Sequence, residues 1–284
     1  MVRRWKQVDV FTSVPLAGNP VAVVLDAGGL DEATMQRLAA WTNLSETTFV
    51  LPPTAAGADY RLRIFSPRSE MPFAGHPTVG SAHAVLEAGI AKPKADLLHQ
   101  ECRAGVLPIR VEGRRLSVRV PDPKVRRELA LERDTVARML GAAPVEAPMV
   151  IDVGPLWVVA RLADEATVRA LGPDLAEIDR LSRTIGASGI TVFALGARGN
   201  PIAVRSFAPA AGVPEDPVCG SGNASVGAYL GVSGLVAETG ERYRASQGRE
   251  LGRDGIVDVA VAREGRTVEI GGTALTVVDG TLCL

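Results

Sequence analysis

The feature that most constrains this chain is a pattern that occurs twice. Arg63-Ile64-Phe65-Ser66-Pro67 in the first half returns as Arg205-Ser206-Phe207-Ala208-Pro209, an offset of 142 residues. Three residues are then inserted, and Glu70-x-Pro72-x-x-Gly75 returns as Glu215-x-Pro217-x-x-Gly220 at an offset of 145. Both copies run into small-residue segments of helical character, Ser81 to Leu86 and Ala224 to Leu230. Strand, proline, loop, glycine and helix recurring in one order, with one short insertion, mark a duplicated lobe rather than a chance match. A length of 284 residues suits two such lobes, and 46% hydrophobic with 22% charged residues excludes a disordered or fibrous chain. Gly18-Asn19-Pro20-Val21 and Gly199-Asn200-Pro201-Ile202 also look alike, but their offset of 181 is out of step and reads as turn chemistry alone.

Around the repeat, short strands alternate with a few helices, so the fold class expected is α+β. Val8 to Phe11 and Pro20 to Leu25 are β-branched runs divided by Gly18-Asn19-Pro20. A helix capped by Asp31 follows, with Met35, Leu38, Ala39 and Trp41/Thr42 at helical spacing up to Asn43. Thr47 to Leu51 and Tyr60 to Phe65 read as strands, the second ended by Pro67. In the second half, Asp134 to Leu140 and Ala176 to Ile185 read as helices, and Met149 to Val153 and Trp157 to Leu162 as strands. The Pro- and charge-rich stretch from Pro121 to Asp134 reads as the linker. The lobes expected are therefore 1–122 and 123–273, with the last strand, about 274–284, completing the first.

Lys and Arg number 31 against 32 Asp and Glu, so no net basic field exists to draw in a phosphate backbone or an anionic lipid surface. Neither nucleic acid nor membrane is an expected partner. No apolar run is long enough to span a bilayer, and Met1-Val2-Arg3-Arg4 is not followed by a secretory segment, which points to the cytoplasm. Cys102, Cys219 and Cys283 are too scattered for a disulfide framework. With no Cys-x-x-Cys pair and no His-Glu-x-x-His arrangement, no metal site is expected either.

The repeat also has chemical content. Each copy sets a glycine at the start of a helix, where unpaired N–H groups and the positive dipole end can hold an anion. If the lobes face each other across a cleft, Gly75-His76 and Gly220-Ser221 would both point at it, and a small carboxylate or developing enolate could be held there. Glycine also serves simply to let a chain turn tightly into a helix, but ionisable residues flank both copies. His76 follows one glycine and Asp216 lies four residues before the other, each able to act as an acid/base group or merely as a helix cap. Glu46, beside Ser45 at the start of an apolar strand, is either surface-facing or a buried, tuned general base. Cys219 lies beside a helix N-terminus, the setting that lowers a thiol pKa, yet its counterpart in the first copy is Ala74. A two-thiol device would lack half its parts, so Cys219 reads more simply as a small packing residue.

Three runs, Asn43-Leu44-Ser45-Glu46-Thr47-Thr48-Phe49-Val50, Pro72-Phe73-Ala74-Gly75-His76-Pro77-Thr78 and Glu215-Asp216-Pro217-Val218-Cys219-Gly220-Ser221-Gly222, resemble the signatures of the PhzF (phenazine biosynthesis) family. The resemblance runs from Val8-Asp9-Val10-Phe11 with Gly18-Asn19-Pro20 through Gln247-Gly248 and Gly252-Arg253 to Gly271-Gly272. It implies the diaminopimelate epimerase-like fold, two pseudo-symmetric lobes each wrapping a β-sheet or barrel around a central helix, as a homodimer. It further implies a cofactor-independent isomerase in which Glu46 moves a proton on a dihydro-hydroxyanthranilate-like carboxylate. By the same resemblance His76 and Asp216 are polar catalytic partners, and Gly75, Gly220, Ser221, Ser45 and Cys219 line the substrate. One departure is Cys219 itself, which stands where the phenazine isomerase has a threonine and the related epimerases a catalytic cysteine. An amino- or hydroxy-acid epimerase using Cys219 is therefore the alternative, and a metabolite-binding protein without catalysis a further one.

Overall fold

The computed structural model describes residues 1–196, 201–262 and 264–284, so Gly199 and Asn200 of the second Gly-Asn-Pro turn lie outside the described residues. The chain forms two compact units, one of residues 1–119 with 271–284 and one of residues 120–270.

In the first unit, β1 (Val2–Val10) and β2 (Asn19–Val24) make an antiparallel hairpin, then α1 (Glu32–Thr42) leads to β3 (Thr47–Leu51), β4 (Tyr60–Phe65) and a two-residue β5 (Glu70–Met71). Next come α2 (Gly75–Glu87), β6 (Leu97–Cys102), β7 (Gly105–Glu112) and β8 (Arg115–Arg119). The hairpin of β1 and β2 depends on Gly18, whose amide donates to Asp9 Oδ2 at 3.1 Å and whose added Cβ would lie 2.2 Å from the Val10 carbonyl. Asp31 caps α1 by accepting from the Thr34 amide, and Asn43 ends it in the left-handed region. Met35, Leu38 and Ala39 are buried against Val24, Phe49 and Phe65, whereas Trp41, expected on the same apolar face, is 78% exposed.

The second unit repeats this order. It opens with β9 (Lys124–Val125), α3 (Arg133–Leu140), β10 (Met149–Asp152), β11 (Leu156–Arg161), α4 (Glu165–Arg169), α5 (Leu175–Ile185) and β12 (Gly189–Ala194). It continues with β13 (Ile202–Ala208), β14 (Val213–Asp216), α6 (Gly220–Val232), α7 (Val236–Thr239), β15 (Arg242–Gln247), β16 (Gly255–Ala262) and the start of β17 (Thr267–Cys283). The stretch expected as a plain linker thus contains β9, which pairs with β10, because Lys124 and Val125 meet Asp152 and Ile151 in register. The remainder of β17 belongs to the first unit, where it pairs with β1 from Val2↔Cys283 to Val10↔Ala274.

Strand pairing shows the duplication directly. In the first unit β1–β2 is antiparallel, β2–β3 parallel, β3–β4 antiparallel, β4–β6 parallel and β6–β7 antiparallel. In the second, β10–β11, β11–β12, β12–β13, β13–β15 and β15–β16 follow the same sequence of senses. Pairing of β17 with both β8 and β1 closes the first unit into an eight-stranded barrel.

Inside it lies α2, buried from Gly75 to Ala82 and packed on β1, β2, β3 and β8. Gly80 permits this approach: an added Cβ would stand 2.4 Å from Val21 Cγ1. Helix α6 is buried in the same way against β10, β11, β12 and β16. Both central helices begin at the repeat's glycine, earlier than the small-residue segments read from the sequence. Among the described residues, no helix is long and apolar enough to cross a membrane.

Candidate active site

The repeat delivers two helix N-termini, one in each unit. In the first, β4 ends at Phe65 and β5 returns the chain antiparallel, Phe65 facing Glu70, before Pro72-Phe73-Ala74 leads into α2. Ala74 takes the extended N-cap conformation with no side-chain oxygen to offer. The Thr78 amide bonds back to the Ala74 carbonyl, and Pro77 has no N–H, so Gly75 and His76 carry the outward-facing amides of the first turn.

His76 is buried, and its Nε2 lies 3.2 Å from Oε2 of Glu46, whose side chain is 14% exposed. Glu46 immediately precedes β3 and is therefore a largely buried carboxylate rather than a surface one. Burial pushes the His76 imidazole down to about 3, because the charged ring would lose its hydration. The ring N–H is not aligned on Oε2 as a hydrogen bond requires, so the contact sets two buried acid/base groups side by side without a proton fixed between them. Ser45, next in the chain, donates its hydroxyl to Asn19 Oδ1 at 3.4 Å, beside the hairpin of β1 and β2.

In the second unit Cys219 occupies the N-cap position of α6, matching Ala74, and its Sγ accepts the Gly222 amide at 3.2 Å. Burial pushes the thiol well above its usual range, and the neighbouring Asp216 carboxylate pushes in the same direction. Those effects outweigh the hydrogen bonds from the Ser221 hydroxyl and the Gly222 amide, which favour a thiolate. Asp216 holds its own turn through Oδ1, which accepts the Val218 amide at 3.1 Å. Ser221 Oγ accepts the Trp157 indole N–H at 3.1 Å and lies 3.6 Å from Cys219 Sγ. Because an indole N–H can only donate, the Ser221 hydroxyl proton must point to another acceptor.

The sequence reading missed Trp157, Asn223 and Gln247 as site-shaping residues. Gln247 Oε1 accepts from the Cys219 amide at 3.1 Å and from Asn223 Nδ2 at 2.8 Å, while its Nε2 donates to the Asp216 carbonyl at 2.9 Å. One side chain thus clamps both ends of the turn before α6. Its neighbour Gly248 sits at φ 100°, with room for no Cβ because the Pro217 carbonyl would be 2.4 Å away. The Gln247-Gly248 pair carried a signal in the resemblance, but Trp157 carried none. Among the described residues, no three His, Cys, Asp or Glu side chains come together as metal ligands would.

The structure therefore brings Glu46 and His76 together in the first unit, with Gly75 at the same helix start. It gathers Asp216, Cys219, Gly220 and Ser221 in the second. The model of the phenazine biosynthesis-like protein family matches residues 8–280.

The chain belongs to that family.

Among family relatives, "Antisense-enhancing sequence 1" of Schizosaccharomyces pombe is 40% identical over 97% of both chains. The trans-2,3-dihydro-3-hydroxyanthranilate isomerase of Pseudomonas chlororaphis is 36% identical over 98% of both. The crystal structure of the Bacillus anthracis PhzF-family phenazine biosynthesis protein superposes over the whole of both chains with a TM-score of 0.84 at 28% identity. The fold is thus diaminopimelate epimerase-like, and the protein is an isomerase of the PhzF family.

Proposed function

We propose that this PhzF-family isomerase works without a cofactor, shifting a proton on a small cyclic carboxylate of the dihydro-hydroxyanthranilate class. The observation that carries the reading is the buried contact of 3.2 Å between Glu46 Oε2 and His76 Nε2 at the start of α2. In this reading the Glu46 carboxylate removes a proton from a ring carbon and the π electrons shift along the ring. The same carboxyl group then returns the proton at another carbon, so that one C–H bond breaks, one forms, and no electrons are gained or lost. Neutral His76 packs against Glu46 and confines its carboxyl group, while the Gly75 and His76 amides favour negative charge developing nearby. The first turn of α6, with Gly220, Ser221 and Asp216, is proposed to orient the substrate's polar groups. The identity with a trans-2,3-dihydro-3-hydroxyanthranilate isomerase supports this substrate class. Epimerisation by Cys219 has less support, since burial and Asp216 both keep the thiol protonated.

The test is to incubate the protein with trans-2,3-dihydro-3-hydroxyanthranilate in deuterium oxide and follow the ring protons by NMR, with Glu46→Gln as control. Glu46-dependent loss of substrate with new ring signals is expected. Retained turnover in folded Glu46→Gln protein would sink the role given to Glu46. No turnover by the wild-type protein would reject this substrate.

A further inference from the structure

The duplicated residues that first revealed the repeat do not touch the site groups, yet they form the same device twice. In the first unit Arg63 on β4 grips Glu70 on β5 with two bonds, Nε to Oε1 and Nη2 to Oε2, both 2.7 Å. In the second, Arg205 on β13 grips Glu215 on β14 through the same atoms at 2.8 and 2.9 Å. Each guanidinium also stacks on the phenylalanine two residues along its strand, at 5.1 Å over Phe65 and 4.9 Å over Phe207. Each glutamate stands five residues before the first residue of its central helix.

This regularity persists although the hairpins differ. The second is three residues longer and takes up the difference in a 3-10 turn, Pro209–Ala211, with irregular pairing of β13 and β14. Only the turn absorbed the insertion; the forked pair, the stacking and the spacing to the helix were kept. A two-residue strand such as β5 makes too few ladder bonds to fix its own position. A bidentate guanidinium–carboxylate pair, held flat on an aromatic ring, sets both distance and orientation. Glu70 and Glu215 are the last anchored side chains common to both copies before the turns that present His76 and Ser221.

We propose that Arg63–Glu70 and Arg205–Glu215 are paired positioning clasps that set where the first turns of α2 and α6 lie. They act through the backbone of residues 71–76 and 216–221 and touch no reacting atom. This proposal rests on the reading that those two turns serve the isomerase site. Both clasps line open cavities, of about 360 Å³ at Arg63 and about 400 Å³ at Arg205, but the Arg205 side chain is 6% exposed and also donates to the carbonyls of Val168, Arg169 and Leu171, whereas that of Arg63 is 22% exposed and also donates to the Glu32 carboxylate. The first clasp is therefore the one more open to salt.

The test compares Glu70→Gln and Glu215→Gln with the wild-type full chain, using Arg205→Lys as a milder variant should the second clasp prove necessary for folding. Lysine keeps the charge but loses the fork. Amide hydrogen exchange should quicken about tenfold at Thr78 in Glu70→Gln, and at Gly222 and Asn223 in Glu215→Gln, with Val85 and Leu230 unchanged. On the dihydroanthranilate, Glu70→Gln should lower kcat by roughly 10- to 100-fold, as expected for a misplaced reacting group. Glu215→Gln should chiefly raise KM. Faster exchange spread evenly through a unit, or a fall in kcat alone that follows the folded fraction in both variants, would reduce the clasps to plain stability elements and overturn the proposal. So would unchanged exchange in both first turns. If the wild-type protein does not turn over the dihydroanthranilate, the substrate reading fails while the exchange measurement still decides the clasps.

Discussion

Neutral His76 can be tested through the pH dependence of stability. The folded imidazole is pushed down to about 3 by burial, against 6.5 for an exposed one, so between these values the unfolded chain binds one proton more than the folded chain. The stabilising contribution is fully present above pH 6.5 and is lost as pH falls toward 3. Each unit in that window is worth about 1.4 kcal/mol, so from pH 7.5 to pH 4.5 the wild-type protein should lose about 3 kcal/mol on this account alone. His76→Gln places a neutral amide where Nε2 stands and should lack that loss. The assay is urea unfolding of both proteins at the two pH values. His83, also pushed down by burial, is common to both and cancels in the difference. Equal losses, or a smaller loss in the wild type, would refute the reasoning. Equal losses would mean an unshifted imidazole, and a smaller loss in the wild type would mean that Glu46 at 3.2 Å holds His76 as an imidazolium, a pair whose stabilisation is greatest below pH 6.5 and fades as pH rises.

Two further outcomes follow from packing. In the native protein, iodoacetamide should label exposed Cys283 first and buried Cys219 last, as read by mass spectrometry; labelling of Cys219 as fast as Cys283 would mean a reactive thiolate. Gly222→Ala would put a methyl group 2.5 Å from Ser206 Oγ and 2.7 Å from Thr191 Oγ1, and should lower the urea-derived stability by about 1–3 kcal/mol. An unchanged midpoint would show that α6 has room to move off β12 and β13.

Much of the framework was legible because it depends on local chemistry. Asp31 announced α1, and the alternation from Tyr60 to Phe65 announced β4, whose burial follows the same alternation over most of its length. The two glycines named the starts of the central helices, but the helices themselves were hidden from periodicity. A helix buried on all sides carries no polar stripe, so α2 and α6 could be read only from their runs of small residues. The hairpins β6 to β8 escaped because charged residues dominate their outer faces, and β17 was read only from about 274 onward because Gly271-Gly272 lies inside it rather than at an end. At the site, Glu46 and His76 were legible as motif members, while their contact was not, being a matter of where β3 meets α2. The contacts of Trp157 and Gln247 were hidden for the same reason, their partners being 64 and 28 residues away, although the resemblance marked the Gln247-Gly248 pair.

The duplication also explains why one acid/base pair is a better reading than two. In strand register, Thr47 opposes Phe65 and Ile190 opposes Phe207, so Gly189 of the second unit holds the place that Glu46 holds in the first. That place has no room for a carboxylate, since even a Cβ on Gly189 would stand 1.9 Å from the Phe207 carbonyl oxygen. At the helix start, His76 is answered by Ser221 and Ala74 by Cys219. A serine hydroxyl engaged by Trp157 and a thiol kept protonated by burial can donate hydrogen bonds, but neither is a base near neutral pH. The two copies have thus kept one backbone and diverged in side chains, and under the proposed function proton handling falls to Glu46 and His76 of the first. Two-base inversion would need a second proton acceptor; Cys219 is held protonated, and the Asp216 carboxylate already accepts the Val218 amide in its own turn. A single carboxyl group that removes a proton and returns it needs none, which is why proton shift by Glu46 fits this pair of lobes better than epimerisation.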